Sequence, residues 1–187
     1  MSPVSKGACN QYRKPNLIAS ILVFFILLVA LNACDEREVP SLKVTVGQPV
    51  PALLVENLSN QPASIKAVRD KLLMINVWAT WCAPCRHELP SLQRLAESLG
   101  DDKLVLVGLS VDDDEHLVRE YLIDKKINFT SFIDKDMSEV TKLLGVRLYP
   151  STFFVNPDGR LVKVIEGWQE WDTPEMVDSI RTLLPAN

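Results

Sequence analysis

Leu72-Leu-Met-Ile-Asn-Val-Trp78, running directly into Ala79-Thr80-Trp81-Cys82-Ala83-Pro84-Cys85, is the stretch on which the fold turns. Its first half is almost wholly apolar and reads as a central strand buried on both faces. After the cysteines, Leu89, Leu92, Leu95, Ala96 and Leu99 recur at helical spacing, and Gly100 supplies a stop. The unit is therefore a strand, a tight turn and a helix, with two thiols one turn apart at the helix start. They can close a small disulfide ring there with little backbone movement, which makes a reversible switch. Unpaired amide N–H groups and the helix dipole stabilise an anion at this end, so Cys82 is expected to ionise below the ~8.5 of a free thiol. Cys82 is then the attacking thiolate and Cys85 the resolving thiol, better buried, that attacks the Cys82 sulfur in turn. Pro84 removes a backbone donor from the first turn and belongs to the setting of redox poise.

Outward from that unit, alternating elements predict an α/β domain. Leu53 to Asn57 is a weak strand, Leu104 to Val111 a buried one, and Asn128 to Ile133 a short one. Between the last two, Glu115 to Lys125 is an amphipathic helix carrying Leu117, Val118, Tyr121 and Leu122 on one face. Ser151 to Val155 and Leu161 to Glu166 flank Asn156-Pro157-Asp158-Gly159, a turn suited to a hairpin, so the central sheet is mixed. Thr173-Pro174-Glu175 opens a final helix with a hydroxyl cap, a proline and an acid in the first turn.

Other uses of the cysteine pair are weaker. A zinc site needs more ligands, yet His87 and His116 are the only histidines, and Cys9 and Cys34 lie near the N-terminus, so no metal is expected. A permanent staple closing so short a loop constrains little of the unfolded chain. A peroxidatic cysteine would be preceded by proline and threonine where Ile75 and Ala79 stand. No cofactor is implied.

The N-terminus reads as an address. Arg13 and Lys14 precede Leu17 to Leu31, fifteen residues without a charge, and Leu31-Asn32-Ala33-Cys34 resembles the box at which lipoprotein signal peptides are cut before cysteine. On this reading residues 1–33 are a signal peptide, Cys34 is lipidated, 34–45 is a tether and 46–187 is the domain. An uncleaved anchor is the alternative, because Asn16 to Cys34 is nineteen uncharged residues, about 28 Å of helix against a ~30 Å hydrocarbon core. Both put the domain on the membrane and outside the cytoplasm. Residues 1–33 hold Lys6, Arg13 and Lys14 and no acid, so removing those three cations takes the formal charge from −4 to −7, which argues against nucleic acid as a partner.

The Trp78-to-Cys85 motif, with Tyr149-Pro150-Ser151-Thr152 leading into a later strand, resembles the thioredoxin superfamily over roughly residues 46 to 185. The export segment and the extra stretch from about Asp112 to Leu144 are similar, more narrowly, to membrane-tethered reductases of the TlpA and ResA type. The resemblance implies a thioredoxin-like fold with helices flanking the mixed sheet and an extra strand-helix insertion. It makes Pro150 a cis-proline facing the cysteines, with Tyr149 and Trp81 on the substrate-binding surface. Asn76 stands where ordinary thioredoxins have a buried aspartate, and Glu88 matches the acidic position of the ResA-type reductases, so a proton relay through Glu88 is implied, against the plainer reading of an acid at a helix start. Trp78 is expected in the core. Trp168 and Trp171 are placed either in packing or on a docking face, and His87 on an exposed face.

The implied activity is a thiol-disulfide oxidoreductase that reduces extracytoplasmic protein disulfides, apocytochrome c among them, and is recharged by a membrane thiol donor. Disulfide donation is the alternative, since the exchange runs both ways. A copper-handling assembly factor is another.

Overall fold

The structure, a computed structural model, describes residues 44–185. In chain order the elements are strands β1 (Leu53–Asn57), β2 (Pro62–Ile65) and β3 (Leu72–Trp78), helix α1 (Ala83–Leu99), strand β4 (Leu104–Ser110), helix α2 (Glu115–Asp124) and strand β5 (Thr130–Ile133). A wide π-type helical segment, Ser138–Leu144, follows, then β6 (Ser151–Val155), β7 (Leu161–Glu166) and helix α3 (Pro174–Arg181). The chain thus has the thioredoxin-like α/β fold, a mixed seven-stranded sheet ordered β2-β1-β5-β4-β3-β6-β7 with helices.

The all-apolar run occupies the position its composition demands. All seven residues of β3 are buried, with β4 parallel on one side, Trp78 opposite Ser110, and β6 antiparallel on the other, Val77 opposite Ser151. β5 runs parallel to β4, and β7 antiparallel to β6 through the hairpin at Asn156 to Gly159. One core fills around this sheet, with Trp78, Trp171, Phe153 and Phe154 among its largest side chains.

Three departures from the sequence reading have physical causes. Val44 is already buried against the core, two residues ahead of the expected domain start. Strand β2 went unread because only Ile65 of its four residues is buried, and a proline opens it. The π-type segment buries Val140 and Leu144, one helical turn apart, and is bounded by left-handed residues, Met137 (φ 54°) and Gly145 (φ 74°), so at seven residues it is too short for its helical spacing to stand out in the sequence.

The entering chain is held by β7. Gly47 N–H donates to the Leu161 carbonyl and Leu161 N–H to that of Gln48, with a further bridge between Pro49 and Arg160. Leu161 lies opposite Val155, itself opposite Leu73 at the start of β3, so this attachment sits at the sheet margin away from the cysteines.

Candidate active site

Strand β3 ends at Trp78, and the chain turns with Cys82 N–H donating to the Ala79 carbonyl at 3.2 Å. The turn is clamped from β4. Asp112 accepts from Thr80 N–H at 2.9 Å and Thr80 Oγ1 at 2.5 Å, and from Ser110 Oγ at 2.6 Å. Buried Asp112 thus fixes the residue two places before the first cysteine, a role its sequence neighbourhood of Asp113, Asp114 and Glu115 concealed. Cys82 caps α1, its Sγ accepting from Cys85 N–H at 3.3 Å, and the two cysteines form a disulfide with Cα atoms 5.3 Å apart. Both sulfurs belong to buried residues, Cys85 completely so. The donor that now meets Cys82 Sγ is of the kind that would stabilise its thiolate after reduction.

Glu88 is not a solvated acid at the helix start. It follows Cys85 by one turn on α1 and is fully buried, accepting from Asn76 Nδ2 at 2.7 Å and from the Gln169 backbone N–H at 3.1 Å. Asn76 Nδ2 also donates to Thr152 Oγ1 at 3.0 Å, while its Oδ1 has no partner. Burial pushes the Glu88 carboxyl from 4.5 up to about 7, and the bonds from Asn76 and Gln169 pull the other way without cancelling it. A buried carboxyl titrating near neutrality beside a dithiol can take and return a proton at working pH.

The Tyr149–Pro150 peptide bond is cis. Tyr149 meets Trp81 edge to face with ring centroids 5.8 Å apart, and the Pro150 carbonyl accepts from Gly167 N–H at 2.8 Å. Trp81 is exposed, Trp78 and Trp171 are buried, and Trp168 is exposed against the His87 ring at 5.2 Å. The two C-terminal tryptophans therefore divide between the surface and the core.

Among the described residues, Asp114, Glu115 and His116 bring three metal-ligand groups within 4.8 Å of one another. Their oxygens already have work. Asp114 caps α2 by accepting from His116 N–H, and Glu115 is held by Lys135 Nζ at 2.9 Å and Asn60 Nδ2 at 2.6 Å. Lys135 in first place and Asn60 in second draw the Glu115 carboxyl down to about 2. Cys34 and the apolar N-terminal run lie outside the described residues. No helix among the described residues is long and apolar enough to cross a membrane.

The model of the AhpC/TSA family matches residues 46–164, from just before β1 into β7 and across the whole cysteine site. The chain belongs to the AhpC/TSA family. Among relatives in sequence, "Thiol-disulfide oxidoreductase ResA" of Bacillus thuringiensis is 28% identical over 159 residues, covering 84% of this chain and 91% of that protein. "Thioredoxin-like protein YneN" of Bacillus subtilis is 29% identical over 143 residues, 73% of this chain and 82% of the other. Among solved structures, StoA from Bacillus subtilis superposes with a TM-score of 0.58 at 20% identity, over 72% of this chain and 96% of that one, and so speaks for the fold alone. A DsbF homologue from Corynebacterium diphtheriae gives 0.58 at 29% identity, over 70% and 85%. This AhpC/TSA member is thus a thioredoxin-like protein of the TlpA/ResA type, whose relatives include thiol-disulfide oxidoreductases.

Proposed function

We propose that the protein is a membrane-attached, extracytoplasmic thiol-disulfide oxidoreductase that reduces disulfides of partner proteins, with apocytochrome c thiols as the first candidate substrate. The observation that carries this reading is the Cys82–Cys85 disulfide capping α1 one turn from a buried carboxyl whose pKa is raised to about 7. In the reduced protein, the Cys82 thiolate attacks one sulfur of a partner disulfide. The partner's S–S bond breaks, its other sulfur leaves as thiolate and takes a proton, and a Cys82–partner disulfide forms. Glu88 then accepts the Cys85 proton, and the Cys85 thiolate attacks Cys82 Sγ, forming the intramolecular disulfide and expelling the second partner sulfur. Two electrons pass to the partner, and a membrane thiol donor restores the dithiol. Trp81, Tyr149 and cis-Pro150 supply the surface on which the partner segment lies, the Tyr149 backbone pairing with it as an added strand.

Attachment is read from the N-terminal sequence, with lipidation at Cys34. Cys34→Ala should abolish fatty-acid incorporation if that reading holds, while persistent membrane association of an unlipidated chain would favour the uncleaved anchor.

The deciding experiment has two parts. Cys85→Ser should accumulate mixed disulfides between Cys82 and its partners, and Cys82→Ser should not. The equilibrium potential of the pair, read by alkylation in dithiothreitol buffers, should lie near thioredoxin's ≈ −270 mV or below. A value near the ≈ −120 mV of a strong oxidant would make disulfide donation the function instead.

A further inference from the structure

Of the eight large apolar side chains that the described residues leave exposed, four gather along one sheet margin: Trp81 at 62%, Met137 at 42%, Leu148 at 51% and Trp168 at 43%. Topology puts them there. Strands β5, β4 and β3 end at this margin, β6 begins at it and β7 ends at it, as the pairs Ile133 with Ser110, Ser110 with Trp78, Val77 with Ser151 and Ser151 with Glu166 fix. Met137 follows β5 at one end, Trp168 follows β7 at the other, and the disulfide follows β3 between them. The contacts run along the whole margin. Tyr149 Oη donates to Met137 Sδ at 3.9 Å, Tyr149 meets Trp81, Pro150 is tied to Gly167, and Trp168 lies on His87. Four strand spacings of ~4.8 Å make the margin roughly 19 Å long, which an extended chain rising ~3.3 Å per residue covers in about six residues.

We propose that this margin reads an extended partner segment of about six residues, its cysteine central at Cys82 and an apolar side chain on either side, one seated at Met137 and one at Trp168. The inference rests on the oxidoreductase reading and adds to it a sequence preference in the substrate. The occupant follows from the chemistry, because reduced Cys82 needs a partner disulfide and the Cys82–Cys85 disulfide needs a partner thiol, so in either direction the occupant brings a cysteine. It follows also from the surface at the two ends, a thioether and an indole, neither of which carries a charge. Apolar side chains gain most from burial on such a surface, and anchoring at the two ends fixes the position of the sulfur between them.

The test uses the reduced full chain and two hexapeptides whose single central cysteine is in disulfide linkage with 2-nitro-5-thiobenzoate, one with leucine flanks and one with serine flanks. Each turnover converts the protein dithiol to its disulfide and liberates one peptide thiol and one nitrothiobenzoate, which is read by its colour. 5,5′-Dithiobis(2-nitrobenzoate) alone serves as the control for redox chemistry and folding. The leucine peptide should react faster than the serine peptide, and Met137→Asn and Trp168→Ser should each slow it about fivefold while leaving the small disulfide within about twofold. Asparagine is chosen because it tolerates the left-handed backbone of Met137. Equal rates for the two peptides, or variants that slow both peptide and small disulfide alike, would overturn the groove. Failure of the unaltered chain to react with the small disulfide would instead overturn the oxidoreductase reading beneath it.

Discussion

Asn76 Nδ2 donates to Glu88 Oε1 across 2.7 Å in a place where neither side chain reaches solvent. The bond joins the centre of the buried strand to the helix that bears the cysteines, and it binds a carboxyl whose ionisation is held near pH 7.

That carboxyl makes the fold lose stability as pH rises. Below about pH 4.5 Glu88 is protonated in both the folded and the unfolded chain and contributes nothing. Between about 4.5 and about 7 the unfolded chain ionises while the folded one keeps its proton, so unfolding becomes easier, and above 7 the full cost is present. The shift corresponds to at most about 3 kcal/mol. Urea unfolding of the oxidised protein and of Glu88→Gln at pH 5 and pH 8 should show the wild type losing about 2–3 kcal/mol more than the variant between the two.

The same group should govern the rate at which the mixed disulfide resolves. Glu88 can accept the Cys85 proton only as a carboxylate, so resolution should accelerate as pH rises through about 7. In Glu88→Gln the inflection near 7 should vanish and the rate at pH 7 should fall on the order of tenfold or more. Stopped-flow release of a thiol from the Cys82 mixed disulfide reads this. An unchanged profile would remove Glu88 from the chemistry and leave it as a buried hydrogen-bond acceptor.

The clamp on the turn offers a graded series. Asp112→Ala strands the Thr80 N–H and the hydroxyls of Thr80 and Ser110, and should cost about 2–3 kcal/mol. Thr80→Val loses only one of those bonds and should cost about 1 kcal/mol, while Thr80→Ser should keep both of its bonds and approach the parent. Thermal unfolding gives the stability order. The alkylation rate of reduced Cys82 should follow the same order if the clamp also holds the thiol in place.

Gly108 tests how tightly β4 is packed behind the site. A Cβ there would lie 3.0 Å from Phe129 Cε2, 3.0 Å from Ser131 Oγ and 3.1 Å from Trp78 Nε1. Gly108→Ala should therefore destabilise the fold by about 1–3 kcal/mol, measured by urea midpoint, although its backbone needs no special conformation.

The elements legible in the sequence were those whose pattern is local. The β3 run, the 3-and-4 spacing of Leu89, Leu92 and Ala96, and the cap at Thr173 each announce themselves within one window. The cysteine pair and the proline after Tyr149 were legible as motifs. What escaped depends on partners far apart in the chain. Glu88 was marked by its place after Cys85, but its bond from the Gln169 backbone, 81 residues on, was not, and the Thr80 clamp comes from 32 residues away. An acid in a run of acids, such as Asp112, carries no local mark distinguishing it from its solvated neighbours. Met137 gave no signal either, since its left-handed backbone and its contact with Tyr149 arise only once β5 and β6 are assembled.

The pairing of Gly47 and Gln48 with Leu161 has a consequence for reach. It pins the incoming chain at the pole of the sheet opposite Cys82, and β3, seven residues long, sets the two poles about 23 Å apart at ~3.3 Å per residue. The backbone bonds of residues 47 and 48 and the reactive sulfur thus occupy different ends of the sheet. A partner closing on the disulfide from the other pole therefore meets no part of this attachment, and Val44, buried against the core just ahead of it, is held at the same end.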